Sequence, residues 1–222
     1  MKVALIAALP RELRALVAGW ECREVARHLW VWTNGDAVAA CAGMGASRAE
    51  IAVRAAMAAA PVKALLSVGV AGACDPKLAV GDVVRAGVVI DGRSGERFED
   101  SQYRQVVVTV DAVAGVGEKQ RLFAEYGAAA VDMEAATVAR LARELGLEFG
   151  AIKAISDEVD FEMETLRRFA TADGQFREAA FALHVAVRPW MWGRVMALGR
   201  NSSKAVAALT AEMRRTLDWY RS

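Results

Sequence analysis

The sequence predicts an α/β domain with a mostly parallel or mixed sheet flanked by helices, and three observations carry that expectation. Continuous apolar runs such as VALIAAL (3–9) read as strands buried on both faces of a covered sheet. Strand-like and helix-like patterns then alternate as far as about residue 156. With 222 residues, no internal repeat and no low-complexity linker, the chain suits one continuous core over 1–222.

The elements follow in order. Pro10 closes the first strand and can serve as a first helical residue, with Glu12 in the opening turn of a short helix over 11–18. HLWVWTNG (28–35) alternates and ends in Asn-Gly before DAVAACAGMG, which predicts a hairpin. GASRAEIAVRAAMAAA is an alanine-rich helix opened by Ser47, and VKALLSVGVAGACD is a buried strand running into a glycine-rich turn. VGDVVRAGVVI gives one or two strands and QVVVTVDAVA another. Helix 117–125, strand 127–132, helix 134–145 ended by Gly146, and strand FGAIKAIS (149–156) complete the alternation. From about 162 the pattern is mostly helical.

Composition excludes several classes. Hydrophobic residues at 55% against 25% charged describe a folded chain. A balance of 28 basic and 27 acidic side chains argues against nucleic acid as a partner. Cys22, Cys41 and Cys74 are odd in number and lack a CxxC pair. With only His28 and His184 beside them, they predict no metal site and fit reduced thiols in the cytoplasm. MKVALIAALPRE looks superficially like a signal peptide, but its apolar run is short and Pro10-Arg11-Glu12 replaces a cleavage site. No run approaches the roughly 18 apolar residues of a membrane span.

In sheets of this kind ligands lie at the carboxyl ends of strands. Functional-type residues stand at five such ends: Glu12, the GMG of 43–45, the GVAG of 69–72, Asp132-Met133-Glu134, and Ser156-Asp157. Glu12, Glu134 and Asp157 without metal-ligand histidines fit acid/base work on a neutral or cationic substrate. Splitting an N-glycosidic bond suits them: the leaving purine needs an acid, water needs a base, and the oxocarbenium-like sugar gains from nearby negative charge. A carboxylate can also accept both protons of a vicinal diol and fix a ribose. Each residue has a structural alternative at this point. Glu12 and Glu134 can be first-turn acids, Asp157 a helix cap, Met133 core packing, and GVAG a turn of close packing.

MKVALIAALPRE, CAGMGASRA, LLSVGVAGACDPKLAVGDVV, TVDAVAG, AVDMEAATVA and AIKAISDEVD, taken together and in this order, resemble the purine nucleoside phosphorylase/nucleosidase superfamily. The resemblance is strongest to its methylthioadenosine/S-adenosylhomocysteine nucleosidase branch and covers roughly residues 1–160. It implies a three-layer, nucleoside phosphorylase-like fold and cleavage of an adenine-type nucleoside, with no cofactor or metal and phosphate only as a candidate co-substrate. It further implies Glu12 as the activator of water, Glu134 with Met133 at the ribose, and Asp157, positioned by Ser156, as the acid at purine N7. Val113 falls where the family has an aromatic residue over the base, and Val70 and Gly72 join the substrate-binding set. Gly45 and Arg48 are candidate phosphate contacts. A homo-oligomer is also implied.

The sequence departs from that family in several places. Ser67 replaces an arginine of hexameric phosphorylases, Val70 a common serine, and Lys153 a common arginine. Loss of the Val70 donor favours water, although Arg11, Arg48 or Arg104 can hold phosphate. The connection between VGDVV and QVVVTVD is short, which predicts an open pocket. The tail carries Trp190, Met191 and Trp192 among Arg188, Arg194 and Arg200, either as a helix covering the core or an interface, or as a membrane-surface patch. The chain also resembles hopanoid-associated phosphorylases, which implies a lipid-linked nucleoside such as adenosylhopane. A non-catalytic nucleoside-binding protein is the alternative of another class, supported by Val70, Val113 and Lys153.

Overall fold

A computed structural model describes residues 2–99, 103–162 and 189–221, with side chains in the last segment from 196 onward. These residues form ten strands and five helices: β1 (Lys2–Ala7), α1 (Pro10–Leu13), β2 (Glu21–Ala26), β3 (Leu29–Thr33), β4 (Ala37–Cys41), α2 (Ala46–Ala59), β5 (Val62–Ala73), β6 (Val83–Asp91), β7 (Arg97–Glu99), β8 (Gln105–Thr109), α3 (Val116–Tyr126), β9 (Ala128–Asp132), α4 (Ala135–Leu145), β10 (Glu148–Asp157) and α5 (Pro189–Arg221).

The strands form one mixed sheet in the order β10-β6-β8-β9-β5-β1-β4-β3-β2, with β7 along β6. β5 runs parallel to β1 and β10, and its last residues, Gly72 and Ala73, pair antiparallel with Val131 and Ala130 of β9. That extra pairing closes β5, β10, β6, β8 and β9 into a ring, from which β1, β4, β3 and β2 extend as an open wing.

Side chains alternate across a strand, so each face of the sheet has its own core. Val3, Leu5 and Ala7 of β1 face α5, meeting its stripe of Ala205, Leu209, Met213 and Leu217 at four-residue spacing. Ala4 and Ile6 point the other way, against Ala49, Ala52, Val53 and Ala56 of α2 and Val138, Leu141 and Ala142 of α4. The small side chains of α2 let that helix lie close on the sheet. α3 covers part of the ring, with Leu122 packed on Val108, Ala128 and Val131. The result is helices, sheet, helices.

Local differences from the sequence reading have physical causes. α1 spans only Pro10–Leu13, because Leu16 and Val17 turn inward to join the core. α2 starts at Ala46 behind Gly45 rather than at Ser47: Gly45 has φ of 91°, a backbone conformation that favours glycine, and Ser47 lies inside the helix. The glycines of GVAG do not form a turn but continue β5 to Ala73. No described helix is long and apolar enough to cross a membrane. Trp190, Met191 and Trp192 fall within α5, but their side chains, like residues 163–188, lie outside the described residues.

Candidate active site

The ends of β1, β5, β9 and β10 and the turn after β4 surround one cavity of about 510 Å³, a size that suits a nucleoside-scale ligand. Glu12, Met133, Glu134, Ser156 and Asp157 line it, as do Val70, Gly72 and Val113. Residues far apart along the chain are thus brought to one place. Gly45 reaches the site through its backbone, whereas Arg48 is half-buried on α2 and is not part of the wall.

Glu12 sits where β1 turns into α1. Its Oε2 accepts the N–H groups of Ala8 at 3.1 Å and Leu9 at 2.9 Å, and its Oε1 accepts that of Val70 at 3.1 Å. Gly69 makes the last contact possible, since a Cβ there would stand 3.1 Å from Oε1. A carboxylate offers about four acceptor positions. Three are filled by backbone, which fixes the side chain and leaves one for a ligand.

The strand–helix junction at 132–134 separates capping from chemistry. Asp132 does the capping: its Oδ2 accepts the Ala135 N–H at 2.9 Å, and Thr109 Oγ1 accepts that of Ala136 at 2.9 Å while donating to Asp132 Oδ1 at 2.6 Å. Lys153 completes this cluster, with Nζ 2.7 Å from Asp132 Oδ2 and donating to Ser67 Oγ at 2.9 Å. Ser67 is therefore a buried partner of Lys153 and does not reach the cavity. With the first turn of α4 already served, Glu134 is free to reach across to the Gly45 N–H at 2.7 Å. Burial pushes the Glu134 carboxyl up to about 7; nearby Asp132 adds to the rise, while Lys153 and the Gly45 N–H oppose it. Burial works against the Lys153 charge, yet Asp132 and Glu134 hold its ammonium above the ordinary lysine range.

Asp157 ends β10 with donors on both oxygens. Ser156 Oγ donates to Oδ1 at 2.6 Å, and Lys119 Nζ lies 2.5 Å from Oδ2. Lys119 comes from α3 and is only 1% exposed. Its remaining protons go to the carbonyls of Glu158 at 2.8 Å and Phe161 at 3.3 Å. Lys119 is not among the residues that the sequence pattern singles out. The signal was present, because Lys119 shares the inward stripe of α3 with Leu122, where a charged residue demands a buried partner.

Other chemistries find less support. Burial pushes the thiols of Cys41 and Cys74 up to about 12, so neither offers a thiolate. Among the described residues no group of three or more His, Cys, Asp or Glu is arranged to hold a metal ion.

Comparison with known proteins shows the family and the fold. The family model of the phosphorylase superfamily matches residues 2–114 and 103–187. No functionally curated protein matches the chain. Among solved structures, it is similar to a mutant Helicobacter pylori 5′-methylthioadenosine/S-adenosylhomocysteine nucleosidase with 5′-methylthioadenosine in the active site, at a TM-score of 0.73, 16% identity and 98% coverage of both chains. It is also similar to Helicobacter pylori futalosine hydrolase, at a TM-score of 0.72 and 17% identity over 98% of this chain and 97% of the other. A Streptococcus pyogenes S-adenosylhomocysteine nucleosidase gives 0.60 and 24% identity over 72% and 86%. At these identities the structures establish the fold, while the family match extends over most of the sequence. The chain belongs to the phosphorylase superfamily of enzymes.

Proposed function

We propose that this protein cleaves the N-glycosidic bond of a purine nucleoside bearing an adenine-type base, with water as the nucleophile. One observation carries the reading: three carboxylates from three strand ends, Glu12, Glu134 and Asp157, line a single nucleoside-sized cavity. Each then has a role. Glu134, ionised, accepts the two ribose hydroxyls beside Met133; Glu12 uses its remaining acceptor position to orient and deprotonate water; Asp157 serves the departing base. Negative charge from Glu12 and Glu134 favours the oxocarbenium-like sugar.

Two features favour water over phosphate. The N–H groups of Gly45 and Val70 already serve Glu134 and Glu12, and the Val70 side chain has no donor to add. A phosphate would also meet those two carboxylates. Arg11 at the cavity wall supports a second reading, phosphorolysis, in which a lipid-linked nucleoside such as adenosylhopane is a candidate substrate.

The test is release of free base from methylthioadenosine, futalosine, adenosine and adenosylhopane, with and without phosphate. Release in phosphate-free buffer is the expected result. Release that requires phosphate transfers the nucleophile's role to phosphate, and binding without release from any substrate makes this a nucleoside-binding protein.

A further inference from the structure

We propose that Lys119 is a positioning residue that supplies, through Asp157, the proton taken up by the departing base. The proposal rests on the N-glycosidic cleavage reading and adds a proton source to it. Asp157 Oδ2 accepts from Lys119, while Oδ1 lies 2.6 Å from Ser156 Oγ, which also reaches the Ala71 carbonyl at 3.3 Å, so among the described residues Lys119 is the one cation bonded to this carboxylate. Nζ has no donor to spare, since its three protons meet Asp157 Oδ2, Glu158 O and Phe161 O. Of these three acceptors only the Asp157 carboxylate, and neither carbonyl, is basic enough to take a proton from Nζ and pass it on.

The wall is shaped around this pair. A Cβ at Gly72 would stand 2.9 Å from Asp157 Oδ2 and 3.0 Å from Lys119 Cε. Glycine at that position leaves the volume that the ion pair fills. The two carbonyls hold the ammonium beside Asp157, and both side chains of the pair belong to the cavity wall.

An Nζ–H bond of Lys119 breaks and an O–H bond forms on Asp157, which turns the ion pair into an amine beside a carboxylic acid. As the C1′–N9 bond breaks, its electron pair enters the purine ring and the new carboxyl proton moves to the ring nitrogen. Water joins C1′ and gives its own proton to Glu12. The Lys119 amine regains a proton from solvent once the base has left.

The experiment compares two leaving groups on the whole protein. Adenine needs a proton to leave, whereas the nitrophenolate of p-nitrophenyl riboside leaves as a stable anion. Lys119→Met is expected to lower kcat for adenine release at least about 100-fold more than kcat for nitrophenolate release, the usual size of a general-acid contribution. KM for adenosine is expected to change much less than kcat. Lys119→Arg, which keeps the charge but does not give up its proton, is expected to behave like Lys119→Met. An equal fall for both substrates, or recovery of adenine release in Lys119→Arg, overturns the proposal. The wild-type protein gives an independent check that requires no folded variant: adenine release is expected to fall at alkaline pH while nitrophenolate release does not. Parallel alkaline profiles overturn the proposal and leave the cleavage reading intact. Absence of base release from every nucleoside by the wild type overturns the cleavage reading itself.

Discussion

Lys119 and Lys153 are each 1% exposed and each bonded to an aspartate, yet they sit in different company. Lys153 is enclosed by Asp132 and Ser67, and Asp132 in turn serves Thr109 and the first turn of α4. Asp132 also belongs to the cavity wall, but its side chain has no exposed surface and its oxygens serve Thr109, Ala135 and Lys153. Lys119 and Asp157 both line the cavity, and one side of their pair faces space that water or ligand can enter. A buried ion pair is weak evidence for net stability, because desolvation consumes most of the attraction. What distinguishes these two is what replaces the lysine when it is lost: nothing for Asp132, and cavity water for Asp157.

That difference can be broken by experiment. Lys153→Met leaves Asp132 charged and enclosed, and is expected to cost about 3–5 kcal/mol of stability in a urea-unfolding measurement. Lys119→Met is expected to cost clearly less; equal losses would erase the distinction between the pairs. Asp157→Asn keeps the shape but removes the base-side acid, and turnover on the true nucleoside is expected to fall roughly 100-fold or more with the fold intact. Near wild-type turnover in that variant would remove Asp157 from the mechanism.

A smaller effect comes from pH. The Glu134 carboxyl is held up to about 7 in the folded protein against an ordinary 4.5, so the folded state binds the extra proton between those values. Stability from this group therefore declines as pH rises from 4.5 toward 7 and is flat above. Binding of a vicinal diol runs the opposite way, because the ionised form accepts its hydroxyls. kcat/KM is expected to rise about tenfold per pH unit up to 7, and Glu134→Gln should abolish that limb. The smallest expected change is Gly72→Ala. Its methyl group would stand 2.9 Å from Asp157 Oδ2 and 3.0 Å from Lys119 Cε, so the held pair must shift slightly and base release should slow about three- to tenfold.

Much of this was readable in the residues. β1, α2, β9, α4 and β10 announce themselves by apolar runs and helical stripes, and Glu12, Glu134 and Asp157 stand at strand ends where an α/β sheet gathers ligands. The strand β2, exposed along its length, has no apolar alternation to betray it, and three-residue β7 is too short for any period. The GVAG segment looked like a turn because glycine usually means one. Here it stays extended because β10 pairs along it, and its glycines are needed because Glu12 at Gly69 and the Lys119–Asp157 pair at Gly72 occupy the room a side chain would take. That requirement comes from residues dozens of positions away, which local patterns do not encode. Lys119 was hidden for the same reason, its partner being 38 positions distant.

The shared strand β5 has a consequence for how such a protein can change its diet. Its far end is gripped by β10 along one margin and by β9 along the other, so the floor of the chamber is as stiff as a barrel stave. Novelty in what is accommodated must therefore come from wall residues outside that sheet, such as Ala112 and Val113 between β8 and α3 and Leu198 and Gly199 on α5. Exchanges at those four positions would reshape the chamber while leaving the three acids in place.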